Sequence, residues 1–512
     1  MNSSFDSSIN NNPDNSRYFS TAHLNENLKS TMLRGGVVTF IAQIIKFILQ
    51  ITSTMILARL LTPQDFGLIA MVSAVTGVIL IFKDLGLSMA TVQKVEITHE
   101  QVSTLFWINV ALSAFLMLVT AGISPFVAWF YHDPRLLLVT IAIAGGFIFG
   151  GLTVQHQSLL SRQMKFKALA VIEISALLVG ILTALACSWL GLKYWSLVFM
   201  NLASAFTAMA GSWIASGWLP GRPRKGSGVR PMLAFGGNLT IFSFVNYFAR
   251  NLDNILIGKF VSPLQVGLYS KAYSLLLMPL TQISSPMASV AIPALSKLQN
   301  DPERYSNYYL KAVKLIAYIA APLVVMMGIL SKEIVLLVLG NQWQGAIPIF
   351  RILAVCAFCQ PIGSTVGWIY ISLGQTKRMA QWGIVACPII CFFIILGLHW
   401  GAIGVAIGYT SAILILIYPQ FYFALKYSPI RTAKLIGVVY RPVLLGIFLA
   451  LPMIIVKCFI SHLSLVLFIA TETICAMVVL PVFIYFISPF KKDIMDIYAI
   501  AKTIFISKER ES

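Results

Sequence analysis

Apolar runs of about 20 residues follow one another from residue 36 to residue 487, separated by short charged or turn-rich breaks. A helix of about 20 predominantly apolar residues matches the hydrocarbon thickness of a bilayer. The pattern predicts spans at 36–57, 66–88, 103–129, 136–155, 168–190, 194–215, 235–257, 266–292, 312–338, 346–370, 380–397, 401–424, 440–460 and 465–487. The expected fold is therefore all-α, a polytopic membrane protein with about 14 transmembrane helices. The first 30 residues, beginning MNSSFDSSINNNPDNS, are polar and low in complexity and read as a disordered tail. They lack the basic stretch, short apolar core and small-residue cleavage site of a signal peptide.

One polar break is written twice. ARLLTPQDFGLIA (Ala58–Ala70) is matched by GKFVSPLQVGLYS (Gly258–Ser270), with Pro63 answering to Pro263 and Gly67 to Gly267. A second echo, RGGVVT (Arg34–Thr39) and FGGNLT (Phe235–Thr240), falls at nearly the same offset. The two landmarks indicate a duplicated six-span unit. An even number of spans leaves both copies in one orientation, so the repeat is parallel, with its pseudo-two-fold axis along the membrane normal. The basic linker GWLPGRPRKGSGVRP marks the boundary. The expected organisation is a tail (1–30), an N-lobe (31–215), a cytoplasmic linker (216–231), a C-lobe (232–424), two extra spans (425–488) and a basic tail (489–512).

Composition sharpens this picture. The chain is 58% hydrophobic and 11% charged, against about 25% charged in soluble domains. A net charge of +19 could mark a nucleic-acid partner, but in a membrane protein Lys and Arg collect in cytoplasmic loops. With Lys83, Lys314, Lys332, Arg441 and Lys457 assigned to the loops that adjoin their spans, 27 of the 37 basic residues fall in the tails and even-numbered loops, 6 in odd-numbered loops and 4 inside spans. That asymmetry places both termini in the cytoplasm and requires an even span count. The seven cysteines lie in apolar segments, and the CxxC of Cys356 and Cys359 has no partner pair, so packing is their expected role. No phosphate-binding loop, HExxH or GxSxG motif occurs. No enzyme activity, metal or cofactor is expected. The short odd-numbered loops argue against a membrane glycosyltransferase or polymerase. Asp65 and Asp133 sit at tight turns and read as turn residues.

Ionisable residues inside spans are costly, about 2.5–3.5 kcal/mol at mid-membrane on insertion scales, and mark function by default. The clear cations are Lys46, Arg250, Lys271 and Arg351; the acids are Asp253, Glu173 and Glu472. Arg250 and Asp253 are three residues apart and share a helix face. Lys271 and Arg351 lie near span ends, where long side chains also snorkel to the interface. Glu173 lies toward a cytoplasmic end and is expected to be solvated. The excess of cations predicts a cleft that attracts an anionic cargo. Pro279, Pro286 and Pro293 recur every seven residues in the eighth span and fall on one face, as hinges or static kinks. Gly146-xxx-Gly150 and Gly404-xxx-Gly408 predict close helix contacts.

ILARLLTPQDFGLIAMVSA, NYFARNLDNILIGKFVSPLQVGLYSKAYSLLLMPLTQISSPMASVAIPALSKLQ and LGNQWQGAIPIFRILA together resemble the bacterial polysaccharide transporter family. That family holds Wzx-like flippases of lipid-linked sugars and colanic-acid-type exporters. It belongs to the multidrug/oligosaccharidyl-lipid/polysaccharide exporter superfamily. The resemblance covers about residues 30 to 490. It implies an inner-membrane transporter of two helical lobes around a central cationic cavity, working by alternating access. The implied cargo is an undecaprenyl-diphosphate-linked oligosaccharide repeat unit. Lys46, Arg250, Lys271, Asp253 and Arg351 are the candidate substrate-binding residues, with Tyr247, Tyr269 and Tyr273 as candidates to stack on sugar rings. Implied partners are the lipid-linked oligosaccharide, membrane lipids, a polysaccharide polymerase and assembly proteins, and no nucleic acid. The competing readings are a drug or metabolite/cation antiporter on the same fold, a membrane enzyme, and a non-transporting scaffold for polysaccharide assembly.

Overall fold

The computed structural model describes residues 19, 28–80, 82, 88, 91–92, 97–224, 247, 251–459 and 465–486. Most of the N-terminal tail, residues 225–231 of the linker, Phe235–Thr240, Arg250 and the C-terminal tail lie outside the described residues. Among the described residues all regular structure is helical. In chain order the helices are α1 (Leu28–Leu60), α2 (Pro63–Leu80), α3 (His99–Tyr131), α4 (Arg135–Arg162), α5 (Phe166–Trp189) and α6 (Trp195–Ser216). Helical residues 251–260 follow. Then come α7 (Pro263–Lys297), α8 (Pro302–Ile329), α9 (Ser331–Val338), α10 (Ala346–Ala357), α11 (Cys359–Ser364) and α12 (Val366–Ser372). The last are α13 (Thr376–Gly397), α14 (Gly401–Leu425), α15 (Thr432–Phe459) and α16 (Leu465–Phe486).

Ten helical stretches are long and apolar enough to cross a membrane, or eleven when a bent pair counts as one. The pair is Ala346–Ala357 with Cys359–Ser372, bent by 45°. Pro361 follows the break, and a proline removes a backbone donor and restricts the residue before it. One of the ten, Lys377–Leu425, holds both α13 and α14. The expected seventh span is described only at residue 247 and residues 251–260. Several helices start earlier than the apolar runs suggest. α8 begins at Pro302 rather than 312, because Asp301 caps it through a bond from the Arg304 amide and Pro302 occupies its first turn. Its first two turns are polar, so hydropathy alone misses them. The eighth span is a single helix, α7, running through Pro279, Pro286 and Pro293.

The repeated break is a pair of helix starts. Thr62 precedes Pro63, and its hydroxyl accepts from the Asp65 amide at 3.3 Å while the Asp65 carboxylate accepts from the Thr62 amide at 2.9 Å. That reciprocal pair is a capping box. In the second copy Ser262 precedes Pro263 and accepts from the Gln265 amide at 3.3 Å. Four residues beyond each proline stands the glycine. A side-chain carbon at Gly67 would collide with the Pro263 carbonyl, and one at Gly267 with the Pro63 carbonyl. The two copies of the motif therefore cross at their glycines, each backbone seated on the other's first turn.

Two compact units emerge, Met1–Gly267 and Leu268–Ser512. The dividing point falls in the first turn of α7 because residues 247–267 pack on the first unit's helices. The Tyr247 hydroxyl donates to the Ser73 carbonyl at 2.7 Å, and Lys259 Nζ donates to the Phe130 carbonyl at 2.6 Å. Within the first unit, α3 pairs with α4 and α5 with α6. α3 and α4 touch where Gly151 faces Ser113 and the Asn109 carbonyl, one residue past the small-residue pair expected at Gly146 and Gly150. Phe19, within the tail read as disordered, is buried: its ring lies edge-on to His99, and its carbonyl accepts from Arg162. The start of the linker is likewise pinned, with Trp218 donating to His99 Nδ1 at 3.1 Å and the Gly221 amide donating to Ser103 at 2.9 Å. In the second unit α13 meets α14, and α8 meets α15. Gly404 and Gly408 face the carbonyls of Gly397 and Phe393, so close contact at the expected glycines is the observed packing.

Replacing Gly67 by Ala places a methyl group inside the Pro263 carbonyl. Gly67→Ala should destabilise the protein by about 1–3 kcal/mol, the usual cost of overpacking. Gly36→Ala, where nothing lies within 4 Å, should be neutral. Thermal midpoints of the purified variants in detergent check this. Equal midpoints for Gly67→Ala and wild type would remove the crossing from the account of the fold.

Candidate functional site

Lys46 lies on α1 and Glu173 on α5, and their side chains form an ion pair at 2.6 Å. Lys46 keeps 25% of its side-chain surface exposed and Glu173 50%. From sequence Glu173 is expected to be solvated; α1 and α5 are neighbours, which brings its carboxylate to Lys46. A cation in a bilayer is stabilised by a counter-charge it can reach, and a flexible lysine reaches one on the next helix. Lys46 is thus a paired cation whose amine remains partly open.

Asp253 is buried, 3% exposed, in the helical residues 251–260, and its carboxylate accepts from the Asn254 amide at 2.7 Å. Its expected partner Arg250 lies outside the described residues. The Tyr247 ring, six residues earlier, sits against Gly77 of α2, so it is held by packing.

The second unit carries Lys271 on α7. Two residues to either side stand Tyr269 and Tyr273, whose rings are roughly parallel at 6.3 Å. A two-residue step turns a helix by about 200°, so Lys271 projects away from that tyrosine face. Tyr273 is part of a hydrogen-bonded group of three. Its hydroxyl lies 3.0 Å from that of Tyr409 on α14, and Gln360 Nε2 donates to both, at 2.9 and 2.8 Å. Gln360 sits on α11, just past the break in the bent pair. The group ties three helices at the point where one is interrupted. Sequence reading missed Gln360 and Tyr409, since a lone amide and a tyrosine in apolar runs carry no spacing signal.

Arg351, on α10, is exposed, and its Nε donates to the Ser331 hydroxyl at 3.1 Å. That position fits a side chain directed to a helix end. Nearby, Glu333 pairs with Lys457 at 3.1 Å. Glu472 is fully buried on α16, with neither carboxyl oxygen hydrogen-bonded among the described residues. Asp65 and Asp133 serve turns as expected: Asp133 accepts from the Arg135 side chain at 2.6 Å and from its amide at 3.1 Å. The cysteines are unbridged, and the described residues contain no cluster able to hold a metal ion.

Comparisons with known proteins place this geometry in a family. A family model described as "Polysaccharide biosynthesis protein" matches residues 56–348, more than half of the chain. The chain is 24% identical over 443 residues to the lipopolysaccharide biosynthesis protein WzxC of Escherichia coli K12, covering 84% of this chain and 87% of that protein. Among solved structures it resembles the lipid II flippase MurJ in an inward closed conformation, with a TM-score of 0.71 and 14% identity, over 90% of this chain and all of that one. It also resembles an inward-facing multidrug resistance MATE family transporter of the MOP superfamily, with a TM-score of 0.59 and 13% identity, over 75% of this chain and 94% of that one. The fold is that of this superfamily's multi-pass membrane transporters, and the chain belongs to the polysaccharide biosynthesis protein family.

Proposed function

We propose that the chain is a flippase that moves undecaprenyl-diphosphate-linked oligosaccharide repeat units across the bacterial inner membrane, from the cytoplasmic to the periplasmic leaflet. It works by alternating access and supplies the synthesis of a surface polysaccharide. The observation that carries this reading is the family match over residues 56–348, which spans both copies of the crossing motif and the helices bearing Asp253 and Lys271. The chemistry supports it. A diphosphate sugar head group cannot enter about 30 Å of hydrocarbon unaided, because its charge and hydroxyls would lose water without replacement. A transporter must supply cations and hydrogen-bonding groups inside the membrane. Lys46, Arg250 and Lys271 are proposed to receive the diphosphate, with Asp253 orienting Arg250. Lys46 is held by Glu173 at rest, and an incoming diphosphate competes with that carboxylate for the amine. The proposal includes fourteen spans in two six-helix lobes plus two further helices, with both termini cytoplasmic.

A drug or metabolite/cation antiporter on the same fold is the second reading, favoured by the burial of Asp253, since an intramembrane carboxylate can bind a coupling ion. Asp253→Asn and Arg250→Ala separate the two. On the flippase reading Asp253→Asn lowers export less than Arg250→Ala; a larger loss from Asp253→Asn points to ion coupling.

A strain lacking the chain should lose surface polysaccharide and accumulate lipid-linked repeat units on the cytoplasmic side, and re-expression should reverse both. Unchanged surface polysaccharide in that strain excludes the flippase reading.

The ion pair gives a finer test. Lys46→Met should lower export roughly tenfold, the size expected for one charge-assisted contact, at unchanged protein level. In the double variant Lys46→Met/Glu173→Gln no carboxylate is left unpaired, yet export should stay low, because the cation is still missing. Full recovery in the double variant would show that Lys46 serves only to neutralise Glu173.

A further inference from the structure

At one end of the second unit the N-terminus of α13 and the C-terminus of α14 frame an open cleft of about 620 Å³. Its charge is set by the sequence. Glu333 and Glu472 are consecutive acidic residues, and the chain between them contains no Asp or Glu. In that stretch Lys377 and Arg378 lie in the first turn of α13, Lys426 and Arg431 between α14 and α15, and Lys434 in the first turn of α15. No carboxylate of that stretch of chain can neutralise them.

Arg378 is built into the cleft wall. Its guanidinium donates to Gln375 Oε1 at 2.9 Å and to the Phe423 carbonyl in the last turn of α14. It lies over two rings, 4.7 Å from the centre of Phe423 and 4.3 Å from that of Tyr427. Gln375 in turn donates to the Tyr427 carbonyl at 3.1 Å, which fixes the loop that carries that ring. These bonds use two of the five N–H groups an arginine offers. The Lys426 ammonium lies 5.5 Å from the Tyr427 ring centre, with no hydrogen-bond or ion-pair partner among the described residues. Two cations therefore share one aromatic floor, one oriented and one loose. Beside them Tyr418 and Tyr422 stack at 6.5 Å on the outer face of α14 and are more than half exposed. Exposed tyrosines at a helix end are the mark of the membrane–water interface.

We infer that this cleft, lined by Arg378, Lys426, Tyr422, Phe423 and Tyr427, binds the phosphate ester of an anionic phospholipid head group. The planar, pre-oriented guanidinium suits a phosphate's paired oxygens. Basic pockets beside transmembrane helices recognise anionic head groups in this way. The cleft is larger than a bare phosphate needs, and the interfacial tyrosines open it toward the bilayer rather than toward a soluble ligand. Its lining residues include none of the proposed transport cations Lys46, Arg250 and Lys271, and the proposal depends on the membrane fold, not on what the protein transports.

The test uses the full chain purified in a neutral detergent. Thermal midpoints are measured against dioctanoyl phosphatidylglycerol, dioctanoyl phosphatidylcholine, glycerol 3-phosphate and inorganic phosphate. Phosphatidylglycerol should stabilise the protein in a saturable way and phosphatidylcholine should not. Arg378→Gln and Lys426→Gln should each weaken the apparent affinity about five-fold, as expected for loss of one interfacial charge, and Arg378→Lys should keep part of it. The Lys426 ammonium has no hydrogen-bond partner among the described residues, so Lys426→Gln tests the site even where Arg378→Gln unfolds the end of α14. Equal response to phosphatidylcholine, or full affinity in Lys426→Gln, overturns the site. Equal response to glycerol 3-phosphate or inorganic phosphate overturns its assignment to a lipid.

Discussion

The crossing of Gly67 and Gly267 is the constraint on which the rest of the first unit depends. Two helix starts approach so closely that neither tolerates a side-chain carbon, and each glycine rests on the other copy's proline carbonyl. Such an approach is possible only if both backbones are fixed. The capping residues Thr62 and Ser262 and the prolines that follow them set each first turn. Once the two turns are locked together, the helical residues 251–260 must lie along α2 and α3. There Gly258 meets Tyr131 and Met71, and Lys259 reaches the Phe130 carbonyl. A helix start written twice in the sequence thus becomes a contact between the two copies, and the first compact unit ends at Gly267.

Hydrocarbon offers no water to satisfy polar groups, so those within the spans must find partners in the protein. Small hydroxyls such as Thr120, Thr153 and Ser212 donate to the carbonyl four residues earlier in their own helix, and several larger groups are paired across helices. Lys46 takes Glu173, Gln360 takes Tyr273 and Tyr409, Tyr305 bonds Ser372 at 2.6 Å, and Tyr309 bonds Thr365 at 2.8 Å. Each such bond specifies which helices are neighbours, which apolar surfaces in lipid do only weakly. Four of these bonds converge on the segment from Gln360 to Ser372, where α10 gives way to α11 and α12. A broken helix leaves backbone groups without intrahelical partners, and side-chain bonds on either side hold the interrupted segment in one geometry.

Much of this fold was legible in the sequence, because a bilayer imposes a single length on apolar runs and a single period on the breaks between them. The duplicated turn and the close-packed glycines at 404 and 408 could be read directly from spacing. Helix starts could not be read from hydropathy, since α8 opens with two polar turns held by Asp301 and Pro302. The site was less legible. Lys46 stood out as a cation in an apolar run, but its partner Glu173 is 127 positions away, and no local pattern links them. Gln360 and Tyr409 are likewise joined only by folding. Phe19 shows the opposite error. A polar, asparagine-rich tail reads as unstructured by composition, yet one aromatic residue in it is buried beside His99.

The distribution of charge separates two tasks that a membrane transporter has to perform. Inside the spans, Lys46 has an acidic partner on a neighbouring helix, and near a span end Lys457 is matched by Glu333. Such pairs carry little net field, and on the proposed function a cargo anion at Lys46 competes with the Glu173 carboxylate for the amine. At the end of α13 and α14 the opposite holds. Arg378 and Lys426 face an open cleft in a stretch of chain with no acid for over a hundred residues. An unpaired cation is tolerable there because water and lipid head groups supply the counter-charge. Contacts of that kind favour whichever state keeps the cleft at the interface and leave the intramembrane pairs untouched. On the proposed function and the inferred lipid site, the same residue types act differently by depth: a paired cation is switched by an anion that competes for it, whereas interfacial cations hold the helices that carry them in register with the membrane surface.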